Sequence, residues 1–177
     1  MSARAAGGPR LLLLCGLAFS GKTTLARALA RRLALPCVSL DEINAERGLS
    51  PGGQGLPAEA WEGSHAVAET RLVATFASGR SAVLDDTGCF RWLRDRYREL
   101  ARRHGCDTVV VFVDTPVEVI RARIDENTRA SNRSTIIEEV FARHVAEFEP
   151  PEPDERVVRF TPSDDIDVWI TANLRTD

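Results

Sequence analysis

Short apolar runs alternate with amphipathic stretches along the chain, and this alternation predicts an α/β protein. Each apolar run has the length of a strand. The fourth run is nearly continuous in β-branched residues, which is typical of a parallel strand buried on both faces. The predicted strands are Arg10–Cys15, Leu35–Asp41, Ser81–Asp86, Thr108–Asp114 and Arg156–Phe160. We therefore expect a five-stranded parallel sheet with helices on both faces.

Apolar residues at helical spacing predict the helices that connect these strands. The predicted helices are Thr24–Leu33, Pro57–Ser78, Phe90–His104, Val117–Ile124, a helix that begins at Ser134 or Thr135 and ends at Phe148, and a terminal helix capped by Ser163 or Asp164. Two other stretches lack this periodicity, the glycine-rich Glu42–Leu56 and the acidic Glu149–Glu155. We expect the first to be a flexible loop and the second to be a rigid connector.

The stretch Gly16–Thr23 fits the phosphate-binding pattern G-x-x-x-x-G-K-[ST], and it stands between a predicted strand and a predicted helix. Glycines let the backbone curl around an anion with its N–H groups pointing inward, and the helix N-terminus adds partial positive charge. Lys22 would reach the β- and γ-phosphates, and the Thr23 hydroxyl would hold Mg²⁺. The expected nucleotide contacts are Gly16, Ala18, Phe19, Ser20, Gly21, Lys22, Thr23 and Thr24.

Carboxylates stand at the ends of several predicted strands. In a parallel sheet these ends share one edge with the phosphate loop, so we expect Asp41 and Asp85 to lie near Lys22. Asp41 opens the glycine-rich loop, where an acceptor would enter. Asp85 follows a continuous apolar strand, and Asp86 points to the opposite side of that strand. Asp86 is therefore the alternative to Asp41 as a contact for the acceptor.

Two further features are candidates for contact with the substrate. Several arginines lie along one face of the helix Phe90–His104, and Arg91 and Arg94 are nearest the strand end, so an anionic substrate could contact them. Simple solvation is the other explanation for this face. His65 lies on the apolar stripe of the preceding helix, where a packed, hydrogen-bonded histidine is the default and a substrate contact is the alternative.

Length and composition narrow the possible functions. The chain has 177 residues and a formal net charge of −3, which suits one domain and gives no global indication of nucleic-acid binding. We expect a mobile tail over residues 1–9 and a single domain over residues 10–177. The apolar run Leu11–Phe19 resembles a secretory signal, but it is too short to span a bilayer, and its removal would destroy the phosphate loop. A cytoplasmic protein without a membrane partner is therefore expected.

At this point the chain resembles the small single-domain P-loop kinases, which include the chloramphenicol phosphotransferases and the zeta toxins. The resemblance rests on the phosphate loop, on Asp41 after the second strand, on the hydrophobic run that ends in Asp85, and on the arginine-rich segment after the fourth strand. It covers roughly Leu11 to Arg159. The chain departs from these families at Leu17-Ala18-Phe19, where they carry serine or glycine-rich variants, and the bulk of Phe19 is expected to bear on the acceptor pocket.

The resemblance implies nucleotide-dependent phosphorylation of a hydroxyl group on a small molecule, with an antibiotic as a candidate acceptor. It implies that Asp41 receives the acceptor proton and that Asp85 helps to hold Mg²⁺ through water. We favour ATP as the nucleotide because no guanine-specific N-K-x-D motif follows a strand, and GTP stays an alternative.

The resemblance further implies that residues 121–135 form an arginine-rich lid that closes over the phosphates. Arginine suits this role because its planar fork matches phosphate oxygens in pairs. The lid residues are Arg121 and Arg123, expected at the nucleotide, and Arg129 and Arg133, expected as catalytic charges.

Two other functions stay open. A kinase that acts on RNA or polynucleotide ends finds support in the arginine face of the helix Phe90–His104, although the net charge and the lack of interleaved aromatics argue against it. A regulatory nucleotide-binding switch would need a partner-binding extension, and the sequence contains no obvious one.

Overall fold

The predicted alternation of strands and helices is present, and five strands pair in parallel into one sheet. A computed structural model of the chain describes residues 8–50, 52–53, 55–130 and 136–174. The strands are β1 (Arg10–Cys15), β2 (Cys37–Ser39), β3 (Ala82–Asp85), β4 (Asp107–Val113) and β5 (Val157–Phe160). The helices are α1 (Lys22–Arg32), α2 (Leu40–Glu46), α3 (Ala58–Ala77), α4 (Arg91–Arg103), α5 (Val117–Ala130), α6 (Glu138–Glu147) and α7 (Ile166–Asn173). The predicted fold class is thereby confirmed.

Strand β1 lies at the centre of the sheet, in the order β2-β3-β1-β4-β5. On one side Leu11 pairs with Ala82 of β3, and on the other side it pairs with Thr108 of β4. Because the phosphate loop follows β1, this order puts the carboxyl end of β3 directly beside the loop. The order of the strands alone therefore brings the end of β3 and the phosphate loop together at the candidate site.

The side chains of β1 divide between two cores, as the period-two rule for strands requires. Leu11 and Leu13 belong to a core shared with α3 and α4, whereas Leu12 and Leu14 belong to a core shared with α1 and α7. All four leucines are at most 3% exposed. Burial of apolar surface on both faces contributes about 25 cal/mol per Å². That contribution explains why a run of leucines forms a central strand here.

Helix α2 is the main departure from the predicted elements. Ser39 caps it by accepting a hydrogen bond from the Glu42 amide, and Leu40 and Ile43 are buried. The serine cap and the apolar face turn the start of the predicted flexible loop into a short helix. Asp41 consequently lies in the first turn of a helix.

Helix α5 extends beyond its predicted end at Ile124 and includes much of the segment expected to be a lid. Ile120 and Ile124 are buried on its inner side, so the polar sequence that follows continues a helix already anchored to the protein. Arg133 and the predicted cap residues Ser134 and Thr135 lie outside the described part of the chain. The lid therefore stays a prediction.

The start of the chain and its domain limits also stay predictions. Residues 1–7 of the expected tail are outside the described residues. The Pro9 carbonyl accepts a hydrogen bond from the Asp107 amide at 3.1 Å. None of the helices within the described ranges combines the length and the apolar character needed to cross a bilayer.

A buried ion pair joins α4 to the connector between α6 and β5. The side chains of Arg94 and Glu155 are fully buried and share two hydrogen bonds, of 2.7 and 2.9 Å. Arg94 also donates to the carbonyl oxygens of Gly88 at 2.7 Å and Glu149 at 2.8 Å. The prediction that Arg94 contacts an anionic substrate is wrong, because its donors are satisfied inside the protein.

Arg91 is held by acidic residues as well. Its guanidinium donates to Asp154 at 2.7 Å and to Glu152 at 2.8 Å, and it pairs with Asp95 on its own helix. The distal arginines have similar partners: Arg98 pairs with Asp95, and Arg102 pairs with Glu99. These ion pairs count against the predicted contact of Arg91 with an anionic substrate, which stays a prediction. The same pairing neutralises the arginine face of α4, which was the main support for an RNA-end kinase.

The buried pair predicts a large stability effect. Arg94→Met leaves the Glu155 carboxylate buried without its cation, and we expect the free energy of unfolding to fall by about 3–5 kcal/mol. The matched control is Arg102→Met, because the Arg102 and Glu99 side chains are 73% and 46% exposed. That change should cost less than about 1 kcal/mol. Urea unfolding measures both, and equal losses would contradict the assigned role of Arg94.

Candidate active site

The phosphate loop takes its shape from two glycines. A Cβ atom added at Gly16 would lie 2.7 Å from the Val113 carbonyl oxygen, so only glycine fits beside β4. The Gly16 amide donates to the Thr87 carbonyl at 2.9 Å, so this residue shapes the turn. Gly21 has a φ of 106° and precedes α1 without a side-chain cap. The first amides of α1 are therefore available to an anion.

Phe19 anchors the loop to neighbouring helices. Its backbone is left-handed, with a φ of 62°, which is uncommon for a bulky residue and costs about 1–3 kcal/mol. The side chains of Phe19 and Leu17 pack against a small apolar core around α5 and α6. The buried members of this core are Ile120, Ile124, Ile136 and Phe141. This packing offsets the backbone strain, and the expected influence of Phe19 on the acceptor pocket stays a prediction.

Lys22 is a buried cation beside two carboxylates. Its side chain is nearly enclosed, and Nζ donates to the Leu17 carbonyl at 2.7 Å. Burial lowers the pKa of Lys22, while the charges of Asp85 and Asp86 oppose that shift. The loop thus carries a desolvated positive charge whose nearest counter-charges come from the end of β3.

Asp85, the last residue of β3, meets α1 at Thr23. Burial raises the pKa of Asp85, and a hydrogen bond from the Thr23 hydroxyl and the charge of Lys22 oppose the rise. The pairing of β1 with β3 brings these groups together because it aligns the end of β3 with the turn before α1. A hydroxyl and a carboxylate are hard oxygen donors of the kind that Mg²⁺ takes when water and phosphate complete its shell. The residues present therefore fit the predicted metal.

Asp86 faces the opposite side of the sheet, toward α3 and α4, as alternation along a strand requires. Burial raises the pKa of Tyr97 on α4, and the charge of Asp86 adds to that rise. Its Oδ1 accepts a hydrogen bond from the Thr87 amide at 2.7 Å. Its Oδ2 is buried and has no hydrogen-bond partner within the described residues. Such an oxygen is costly to bury, which makes Asp86 a real alternative for binding an acceptor hydroxyl.

His65 is a packed residue of the core between α3 and α4. Its Nδ1 lies 2.6 Å from the Tyr97 hydroxyl, and its ring stacks on Trp61 with centroids 6.0 Å apart. The side chain is buried, and burial lowers the pKa of His65. These contacts bear out the default interpretation of a packed histidine and count against the predicted substrate contact.

Asp41 reaches the same edge of the sheet from α2. Its side chain is exposed, and its negative charge acts on Lys22 in the same direction as those of Asp85 and Asp86, against the effect of burial. The charges of all three candidate carboxylates therefore act on Lys22, as the shared edge of a parallel sheet predicts.

The arginines of α5 differ in what they contact. Arg123 donates to the carbonyl oxygens of Phe19 at 3.1 Å and Ser20 at 2.8 Å, so it lies against the phosphate loop. Arg121 instead pairs with Glu138 at 2.7 Å and lies over an aromatic ring of α6. This pairing counts against the expected contact of Arg121 with the nucleotide, which stays a prediction.

For the remaining residues that were predicted to contact the nucleotide or to act in catalysis, the described part of the chain gives exposure and position but no contact that defines a role. Arg129 is exposed in the last turn of α5, and Arg133 lies beyond the described ranges. Thr24 is exposed in the first turn of α1. The Ser20 hydroxyl is buried in the loop without a hydrogen-bond partner among the described residues. Their roles at the nucleotide or in catalysis stay predictions.

One contact of the loop has no counterpart in the sequence-based predictions. The Ala18 amide donates to Nε2 of His144 on α6 at 3.1 Å, across a separation of 126 residues. A single histidine on a short amphipathic helix carries no motif, so only the folded chain reveals this contact.

Known proteins resemble the chain in both sequence and fold. A family model described as an AAA domain matches residues 11–151, which is more than half of the chain. A shikimate kinase from Nitratidesulfovibrio vulgaris is 31% identical over 138 residues, covering 78% of this chain and 75% of that protein. An adenylyl-sulfate kinase from Saccharomyces cerevisiae is 31% identical over 150 residues, covering 82% and 73%. A gluconokinase structure from Sinorhizobium meliloti shares the fold at 18% identity, with a TM-score of 0.67 over 95% of this chain and 91% of that one.

The charge balance at Lys22 predicts a pH-dependent stability effect. Lys22→Met removes a charge that opposes the rise in the pKa of Asp85, so that pKa should rise further. A carboxyl whose pKa is raised by folding favours the folded state at low pH, and this contribution is lost as the pH rises through the raised value. Removal of the buried charge also relieves the desolvation of Lys22, so the informative quantity is the difference between two pH values. We expect the unfolding free energy of the variant, relative to the unmodified protein, to be about 1–3 kcal/mol lower near about pH 8 than near about pH 5.

Urea unfolding at the two pH values measures this difference. Arg31→Met is the control, because Arg31 is exposed on the same helix and should show no such pH dependence. A loss for Lys22→Met that is equal at both pH values would contradict the coupling of Lys22 to Asp85.

Proposed function

Because the chain belongs to the AAA-domain family of P-loop proteins and is a nucleotide-dependent kinase for a small molecule, we propose that it transfers the γ-phosphoryl group of ATP to a hydroxyl group. The observation that carries the proposal is the burial of Lys22 beside Asp85 and Asp86, at the edge where Asp41 lies in the first turn of α2. Phosphoryl transfer requires alignment of donor and acceptor and stabilisation of spreading negative charge. Lys22 and the amides of the phosphate loop can stabilise the negative charge, and a neighbouring carboxylate can align the acceptor hydroxyl.

Mg²⁺ is the proposed metal, held by the Thr23 hydroxyl and, through water, by Asp85. When bound, Mg²⁺ would neutralise part of the negative charge of the phosphate groups. Two contacts of Asp85 support this role: its hydrogen bond with Thr23 and its proximity to Lys22. Lys22 would exchange its present acceptor, the Leu17 carbonyl, for phosphate oxygens.

Asp41 is the proposed group that orients the acceptor hydroxyl and receives its proton late in the transfer. Its exposure at the start of α2 supports this role, because an acceptor can reach it from solvent, and its charge already acts on Lys22. Asp86 is the alternative base. Its support is the buried Oδ2 atom, which an acceptor hydroxyl on the α3 side could satisfy.

Arg123 is the proposed link between the α5–α6 region and the nucleotide. It already donates to two carbonyl oxygens of the loop, so a small shift of its guanidinium would bring it to a phosphate oxygen. Arg129 and Arg133 are proposed to add positive charge when the lid closes. Closure would also exclude water, which otherwise hydrolyses the nucleotide.

The acceptor is proposed to be a small hydroxyl compound, and an antibiotic stays a candidate within that class. Mass spectrometry of an acceptor panel incubated with the protein, Mg²⁺ and either ATP or GTP tests this. The panel contains hydroxyl-bearing antibiotics, shikimate, gluconate, adenylyl sulfate and a short RNA with a free 5′-hydroxyl. We expect one small molecule to gain a single phosphoryl group while ATP becomes ADP. Phosphorylation of the RNA alone would contradict the proposed acceptor class.

Isosteric changes of the three aspartates separate their roles. With the acceptor found in the panel, Asp41→Asn should keep nucleotide binding and lose about 10²–10⁴-fold in turnover, because an amide orients a hydroxyl but cannot take its proton. Asp85→Asn should raise the Mg²⁺ concentration needed for half-maximal rate. Initial rates and Mg²⁺ titrations measure both effects. Near-normal transfer by Asp41→Asn together with loss in Asp86→Asn would make Asp86 the base.

A further inference from the structure

A histidine nitrogen accepts the hydrogen bond of one backbone amide in the phosphate loop. The Ala18 N–H donates to Nε2 of His144 at 3.1 Å. In loops of this sequence type the backbone N–H groups turn toward phosphate oxygens. The imidazole therefore accepts, from within the protein, a hydrogen bond of the kind that the loop offers to a phosphate group.

Helix α6 holds His144 in this place from both sides. One turn before it, Phe141 is fully buried in the small core against which Leu17 and Phe19 of the loop pack. One turn after it, the Phe148 ring meets the imidazole edge-on, with centroids 6.4 Å apart, and stacks on a ring of β4. The imidazole is therefore packed beside the loop, where an entering phosphate group would meet it.

The charges that face His144 agree with its role as an acceptor. Burial lowers the pKa of His144, the positive charge of Lys22 lowers it further, and Glu147 on α6 opposes the shift. The imidazole is then neutral at neutral pH, with an unprotonated Nε2 toward Ala18. Lys22 is the residue that reaches the β- and γ-phosphates in such loops, so the positive charge that acts on His144 would also act on those phosphates.

We propose that His144 contacts the phosphoryl group that is transferred. The bound triphosphate takes the Ala18 amide, and His144 changes from acceptor to donor, with an Nε2–H bond to a γ-phosphoryl oxygen. The hydrogen at Nε2 comes from a change of tautomer or from solvent, and no covalent bond to the histidine forms. A donor at this position stabilises the charge that spreads over the γ-phosphoryl oxygens. The proposal rests on the kinase function above and adds a contact that distinguishes ATP from ADP.

The test compares the affinities of two nucleotides, which needs no knowledge of the acceptor. Isothermal titration with Mg²⁺ measures binding of ADP and of the non-hydrolysable β,γ-imido analogue of ATP. His144→Ala should weaken binding of the analogue by about 10- to 100-fold, the value of a hydrogen bond to a charged group, and should leave ADP affinity unreduced. His144→Gln should restore much of the difference, because its amide N–H₂ group reaches close to the place of Nε2.

The control is His104→Ala, because His104 is exposed at the end of α4 and should leave the ratio of the two affinities unchanged. If the alanine variant does not fold, His144→Asn replaces it, since the shorter amide falls short of the phosphate. An unchanged ratio in these variants would overturn the proposal, as would tighter binding of both nucleotides, which would make the imidazole a mere obstruction. Failure of the unmodified protein to bind either nucleotide would instead contradict the kinase function itself.

Discussion

The parallel pairing of β1 with β3 is the interaction on which the rest of the structure depends. It aligns the end of β3 with the phosphate loop, so that Lys22 lies beside Asp85 and Asp86. A buried charge without a partner costs several kcal/mol, so the cation and the carboxylates stabilise one another in this position. The same arrangement leaves Thr23 and Asp85 as a pair of oxygen donors. The geometry of the site is therefore set by the order of strands, and its loops refine it.

The second determinant of the site is the attachment of the phosphate loop to α5 and α6. Apolar packing of Leu17 and Phe19, hydrogen bonds from Arg123, and the contact of Ala18 with His144 all join the loop to that region. One of these contacts is apolar packing and the others are hydrogen bonds, and together they involve residues 17–20 of the loop. These contacts join the loop to α5 and α6, the helices that border the predicted lid.

Much of this could be predicted from the sequence because the relevant signals are local. The phosphate loop, the strand ends and the alternation of Asp85 and Asp86 each follow from a few neighbouring residues and the geometry of a strand. Helix α2 was missed because its Ser39 cap lies within a segment whose later glycines suggested a loop. The roles of Arg94 and His144 could not be predicted, since their partners lie 61 and 126 residues away. Exposed arginines on a helix and arginines buried by a distant acidic segment have the same local pattern.

The position of Glu155 has a consequence for the limits of the folding unit. The region of family similarity ends at residue 151, yet Glu155 and β5 come after that point. A chain truncated there would leave the Arg94 guanidinium buried without its carboxylate, and it would turn β4 into an open edge strand. The region that matches the family model is therefore shorter than the region that a stable fold requires. Transplanting this domain into another protein would require the residues through β5.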